Sequence, residues 1–307
     1  MSDIKLFRTD SGSVDELPGS AIALERSLQS LFEKNLEALL GVTFLASEFS
    51  TSNGGRMDTL GIDENRCPVI IEYKRDRNEN VINQGLFYLD WLMDHRGDFE
   101  MLVAKQFGHE LASAVEWSSP RLICIAGDFT KYDEHAVKQM GRNISLIRYR
   151  RFGDDLLLLE RLAEAFADPK KPSSVSAQVA SLMAGKQVKY KTVSEYLEDA
   201  EQPLRDLYED VRNHLLGLGE DVTEKTLQFY VAFRRIKNFA CVEVKPQLGL
   251  VRLYLKVDPD SVDLVEGFTR DVRKVGHFGT GDLEVTVSNN ADFEKAKPLI
   301  LMSYEAS

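Results

Sequence analysis

Cysteine is scarce in this chain of 307 residues: Cys67, Cys124 and Cys241 are the whole complement, odd in number and far apart. Their spacing excludes a zinc finger and a disulfide framework, and it fits a reducing cytoplasm. No apolar run reaches bilayer-spanning length, and the leucines at 156–159 fall far short of it. The opening MSDIKLFRTDSG lacks the apolar core of a secretory leader, so a cytoplasmic protein without membrane association is expected. A P-loop, a dinucleotide fingerprint and a G-x-S-x-G turn are absent, as are repeats and low-complexity tracts. The five histidines are scattered without metal-ligand or triad spacing. Positive charge is short as well. The net charge of −11 excludes a general basic coat for a polyanion. Residues 1–168 carry 19 basic and 28 acidic side chains, against 19 and 21 in the remainder, so the first half is the more acidic.

What is present describes an ordinary globular chain, 43% hydrophobic and 28% charged, long enough for two domains. The expected division is a domain over 1–167, a Pro-, Ser- and Lys-bearing linker over 168–191, and a smaller domain over 192–307. In the first domain, IKLF and VDEL around a Ser-Gly turn read as a hairpin. A helix is expected from Ala21 to Leu40, ending at Gly41. Strands follow at Thr43–Ser50, Arg56–Ile62 and Pro68–Lys74, then helices at Val81–Asp94 and Phe99–Trp117. Strands Arg121–Ala126 and Ile144–Arg150 flank a helix at Tyr132–Met140, and Leu156–Ala167 reads as a last helix. This order predicts a mixed sheet flanked by helices. The second domain reads as a small α+β unit: helix Ser194–Leu216, strands Leu227–Phe233, Ala240–Lys245 and VRLYLKV, helix Val262–Val275, strand Leu283–Val287 and helix Phe293–Met302.

The most informative segment is GGRMDTLGIDENRCPVIIEYK at 54–74. The Gly54-Gly55 turn delivers Asp58 onto one strand, and Glu72 and Lys74 lie on the next. Strand alternation points Glu72 and Lys74 the same way. The apolar run Pro68-Val69-Ile70-Ile71 suits a strand buried on both faces. A carboxylate and an ammonium at its end are costly without partners. A divalent metal held by Asp58 and Glu72, beside Lys74, supplies them. That is the chemistry of metal-dependent phosphodiester hydrolysis.

Arg56-x-Asp58, then Ile71-Glu72-Tyr73-Lys74, then Gln84 followed by Tyr88 one turn later together resemble the PD-(D/E)XK nuclease superfamily, in particular NucS-type endonucleases and RecB-like nuclease domains. The resemblance runs over about residues 21–152, a span of ordinary domain size. It implies a restriction-endonuclease-like sheet and Asp58, Glu72 and the Tyr73 carbonyl as ligands of Mg²⁺ or Mn²⁺. It also implies Lys74 as the catalytic lysine, Gln84 and Tyr88 as its supporting helix pair, and Glu33 as an accessory acid from the first helix. Met57 stands where the family's name places a proline. The implied partner is nucleic acid, DNA ahead of RNA, met by a homodimer.

In so acidic a half, nucleic-acid contact falls to local clusters: Arg56, Arg75 and Arg77 around the site, and Arg148, Arg150 and Arg151 at a strand end. There Tyr149 and Phe152 are candidates for base stacking. FACVEVKPQLGLVRLYLKV and GHFGTGDLEVTV resemble a family of uncharacterised domains labelled predicted transport proteins, a label at odds with a chain that has no membrane segment. Gly276, Gly279 and Gly281 around His277 read as a loop able to meet phosphate through its amides or as a simple connection into a strand. A second class of function also fits the acidic surface: a nucleic-acid or protein binding module on a nuclease scaffold.

Overall fold

The computed structural model describes residues 4–10, 12–22, 24–75, 80–166 and 192–307. The expected linker at 168–191 and Arg77 lie outside the described residues. Two compact units divide the chain, Met1–Met183 and Ala184–Ser307. Among the described residues no helix is long and apolar enough to cross a membrane.

The first unit opens with the expected hairpin, β1 (Leu6–Asp10) against β2 (Ser13–Leu17). After β3 (Gly19–Ser20) come α1 (Glu25–Glu33) and α2 (Leu36–Leu40). These are two helices where one was expected, because Asn35 leaves the helical region and turns its amide back onto the Leu31 carbonyl at 2.8 Å. Strands β4 (Val42–Ser50), β5 (Arg56–Asp63) and β6 (Pro68–Lys74) follow, then α3 (Val81–Asp94). The expected helix at 99–117 is broken at Gly108 into α4 (Arg96–Phe107) and α5 (His109–Ser113). Strand β7 (Arg121–Ala126), helix α6 (Lys131–Gln139) and strands β8 (Asn143–Phe152) and β9 (Leu156–Ala165) complete the unit.

Strands β3 to β9 form one seven-stranded mixed sheet in the order β3-β8-β7-β6-β5-β4, with β9 also paired to β8. Strands β6, β7 and β8 are parallel and the other pairings antiparallel. Val69, Ile70 and Ile71 are wholly buried in central β6, each worth about 1.5–3 kcal/mol of transfer free energy. Ile70 packs into the core that holds α3, and by alternation Glu72 points to that same face.

Strand β9 overturns the helix expected at 156–167. Its Leu, Glu and Ala residues favour helix, but the free edge of β8 offers a full ladder from Phe152↔Leu156 to Ile144↔Ala165. Cross-strand contacts from Arg148 to Glu160 and from Ser145 to Glu164 hold that pairing.

The second unit is an antiparallel sheet with helices on one face. Helices α7 (Val193–Asp199) and α8 (Gln202–Leu216) precede β10 (Thr223–Thr226), β11 (Val231–Arg234), β12 (Asn238–Lys245) and β13 (Leu250–Leu255). Strands β14 (Thr269–Asp271) and β15 (Leu283–Val287) and helix α9 (Asn290–Glu305) follow. The strand order is β10-β11-β12-β13-β15-β14. Alternate residues of its strands, among them Val242, Leu253 and Val285, form one core with Val211 and Ile300 of the helices. The helix expected at 262–275 is absent. Gly267 takes φ +79, the Val265 amide donates to the Thr269 hydroxyl at 2.7 Å, and the Phe268 carbonyl accepts from Thr286, so the segment closes into an edge strand.

Candidate active site

The site forms where two strands part. Strands β5 and β6 pair from Ile62↔Pro68 to Thr59↔Ile71, and the ladder stops there. Beyond it, the side chains take over. The Tyr73 amide donates to Asp58 Oδ2 at 3.0 Å, and the Asp58 amide donates to Glu72 Oε1 at 3.2 Å. Each carboxylate therefore satisfies a main-chain donor of the opposite strand, which fixes both side chains at the mouth of the split. The turn ahead of β5 is set locally: Gly54 takes φ +84, and the Thr51 hydroxyl accepts the Gly55 amide at 2.8 Å. A Cβ on Gly55 would stand 2.5 Å from the Tyr88 ring, so only glycine lets α3 approach this closely. The Tyr88 hydroxyl in turn accepts the Arg56 amide at 3.3 Å and the Gln84 side-chain amide at 3.1 Å. Gln84 and Tyr88 thus fasten α3 to the start of β5, two residues from Asp58.

Electrostatics single out Glu72. It is wholly buried, and its Oε2 has no hydrogen-bond partner. Burial, with Asp58 alongside, pushes its pKa from 4.5 up to about 8. Burial also raises Asp58, against the opposing pull of the Tyr73 amide and Lys74. Burial alone would depress the Lys74 ammonium, but its bond to Glu25 and the nearby Asp58 outweigh that and raise it. The Lys74 Nζ stands 2.9 Å from Glu25 Oε1, and the Arg75 amide donates to Glu25 Oε2 at 3.4 Å. Cys124, the register partner of Glu72 on β7, has its thiol pushed up by burial and then by Glu72, so it is no thiolate nucleophile.

A buried carboxylate oxygen without a donor, beside a second carboxylate, fits a cation. Among the described residues no group of three or more His, Cys, Asp or Glu side chains gathers to hold a metal. The donor set is thus Asp58 and Glu72, to be completed by main chain or water, and all-oxygen donors favour hard ions such as Mg²⁺ or Mn²⁺.

The other expected residues are dispersed. Glu33 accepts the Thr59 hydroxyl at 2.6 Å and the Gln29 amide at 3.0 Å. By alternation Thr59 lies on the face opposite Asp58, the side where Tyr73 meets Phe32 of α1. The α1 acid that does reach the site is Glu25, for which the sequence holds no signal because a glutamate at a helix start carries no motif. Arg56 pairs with Glu48, Nε to Oε2 at 2.6 Å.

The basic run at the end of β8 is only in part an open surface, since the Arg151 side chain is 40% exposed but Arg148 is not. Arg148 is buried in ion pairs with Asp128 and Glu160, and Tyr149 and Phe152 are buried too, so neither ring is free to stack on a base. Arg150 donates to the Ile4 carbonyl and Arg151 to Asp154. In the second unit, the His277 ring stacks on Tyr254 at 4.4 Å, and the Thr280 amide donates to Cys241 Sγ at 3.3 Å, so that amide faces the protein interior.

Residues 193–307 match a family described as a domain of unknown function (DUF5655). The chain is 30% identical to an uncharacterized protein of Haemophilus influenzae over 301 residues, which is 97% of this chain and 98% of that one. It belongs to the same family as that protein. Among solved structures it is similar to a repair endonuclease from Pyrococcus abyssi, with 17% identity, 41% of this chain and 48% of that chain covered, and a TM-score of 0.29. It is also similar to EndoMS in a complex with double-stranded DNA, at 19% identity over 41% and 46% of the two chains, with a TM-score of 0.26. The matches span about half the length of each of those structures.

Proposed function

We propose that the chain is a metal-dependent nuclease that hydrolyses phosphodiester bonds where the start of β5 meets the end of β6. The observation that carries this reading is the Asp58–Glu72 pair, whose buried Glu72 Oε2 lacks a donor while Lys74 stands beside it. Asp58 and Glu72 would hold Mg²⁺ or Mn²⁺ with the Tyr73 carbonyl. The ion would supply a water of lowered pKa and offset negative charge growing at phosphorus. Lys74, a compact cation, neutralises the oxygens of the phosphate under attack. Gln84 and Tyr88 hold the β5 turn, so Asp58 keeps its place when a charged strand arrives. DNA is favoured over RNA on the resemblance of the R-x-D, I-E-Y-K and Q-x-x-x-Y residues, and the second unit would choose the substrate or a partner.

Incubation with labelled single-stranded, duplex, mismatched and branched DNA, and with RNA, in Mg²⁺ or Mn²⁺ tests this. Cleavage is expected from the intact protein and not from Glu72→Ala or Lys74→Ala. Cleavage that survives excess EDTA contradicts the metal, and cleavage retained by either variant contradicts the site. The burial of Arg148, Tyr149 and Phe152 leaves less basic and aromatic surface than the sequence suggested, which favours a second reading, a non-catalytic binding module. Calorimetric titration with Mn²⁺ separates the two: heat that disappears in Asp58→Asn belongs to the nuclease.

A further inference from the structure

The neighbourhood of Asp58 and Glu72 is poorly suited to a polyanion as it stands. Two further acids act on Asp58 from close by, Glu25 and Glu48. Two of the cations there are engaged by carboxylates: Lys74 by Glu25 at 2.9 Å and Arg56 by Glu48 at 2.6 Å. Glu25 and Glu48, beside Asp58 and Glu72, thus each already occupy a cation that a phosphate would need. The Glu25 carboxylate is held at both oxygens, since its Oε2 also accepts the Arg75 amide at 3.4 Å. That second contact pins it over the end of β6, where an incoming phosphate would have to meet Lys74.

Resting on the nuclease reading above, we infer that Glu25 is a gate on Lys74, which keeps a nucleic-acid phosphate off the site until a divalent cation has bound there. Without the cation, a phosphate must displace Glu25 from Lys74 with Asp58 and Glu48 close by, and like charges at this range repel. A divalent ion at Asp58 and Glu72 adds two positive charges where that repulsion is strongest, and the exchange at Lys74 becomes favourable. Glu25 acts through Lys74 and is a positioning residue. A purely structural role, as an acid in the first turn of α1, would show in the stability of the helix and leave nucleic-acid binding unmoved.

The test is fluorescence anisotropy of a labelled DNA oligonucleotide with the full chain, in EDTA and in Ca²⁺, at low salt. Wild type is expected to bind in Ca²⁺ and weakly in EDTA. Glu25→Gln keeps an oxygen for the Arg75 amide but frees the ammonium, and should bind in EDTA up to about fivefold more tightly than wild type. Adding Lys74→Gln to it should abolish that gain, with the far-ultraviolet dichroism of all three proteins alike. Unchanged affinity of Glu25→Gln in EDTA, a gain that survives loss of Lys74, or wild-type binding equally tight in EDTA and Ca²⁺ would each overturn the gate. Cleavage in Mn²⁺ by the same preparations tells the two failures apart. If wild type cleaves while any of those results is found, the gate alone is wrong. If it neither binds in Ca²⁺ nor cleaves in Mn²⁺, the nuclease reading falls and the gate with it.

Discussion

Glu72 should make the first unit less stable as pH rises through neutrality. Burial, with Asp58 alongside, raises its pKa from 4.5 to about 8, so the native state keeps a proton that the unfolded chain has released. The sign follows from linkage. Where the native state binds more protons, stability falls with rising pH, beginning near the unfolded value and levelling off above the folded one. Each unit between them costs about 1.4 kcal/mol, so going from about pH 5 to about pH 9 removes on the order of 4 kcal/mol. Glu72→Gln cannot ionise and should lose most of that slope, becoming the more stable protein at the alkaline end. Both tryptophans, Trp91 and Trp117, lie in the first unit, so their fluorescence during urea unfolding reports that unit alone. Wild-type stability that is flat over this range, or parallel slopes in the two proteins, would refute the reasoning.

Gly55→Ala should cost about 1–3 kcal/mol, because the new methyl group meets the Tyr88 ring; thermal unfolding followed at the tryptophans measures it. Arg148→Ala removes the Arg148 guanidinium from Asp128 and Glu160 and should destabilise the first unit by about 2 kcal/mol, below the loss for a fully buried pair because both acids keep some solvent. It should leave DNA affinity at fixed salt unchanged, since the buried guanidinium is not a phosphate contact. A fragment of residues 192–307 should fold alone around its own core, with cooperative unfolding by circular dichroism, and hydrolyse no nucleic acid.

Much of the fold could be read from local pattern. The apolar run into Glu72 reads as a buried strand because Val69, Ile70 and Ile71 have no polar alternation, and β6 is central and covered on both faces. The turn at Gly54-Gly55 carries its own signal, and α3 begins and ends where its periodicity does. What escaped was set by distant partners. The leucines of β9 favour helix until the free edge of β8 is available, and 262–275 is closed by bonds to Thr269 and Thr286 that no window of sequence contains. The same holds at the candidate site. Asp58, Glu72 and Lys74 stand out as candidates by spacing, whereas the contact of Glu25 with Lys74 arises only when α1 lands beside the end of β6. Arg148 looks like part of a surface cluster until Asp128 and Glu160 close around it.

The most direct measurement is anomalous scattering from a crystal of this chain soaked in Mn²⁺. A peak between the Asp58 and Glu72 carboxylates, lost when Glu72 is replaced by Gln, is the predicted result. Ordered carboxylates with no peak between them, or a peak that persists without Glu72, would contradict a metal-dependent nuclease at this site.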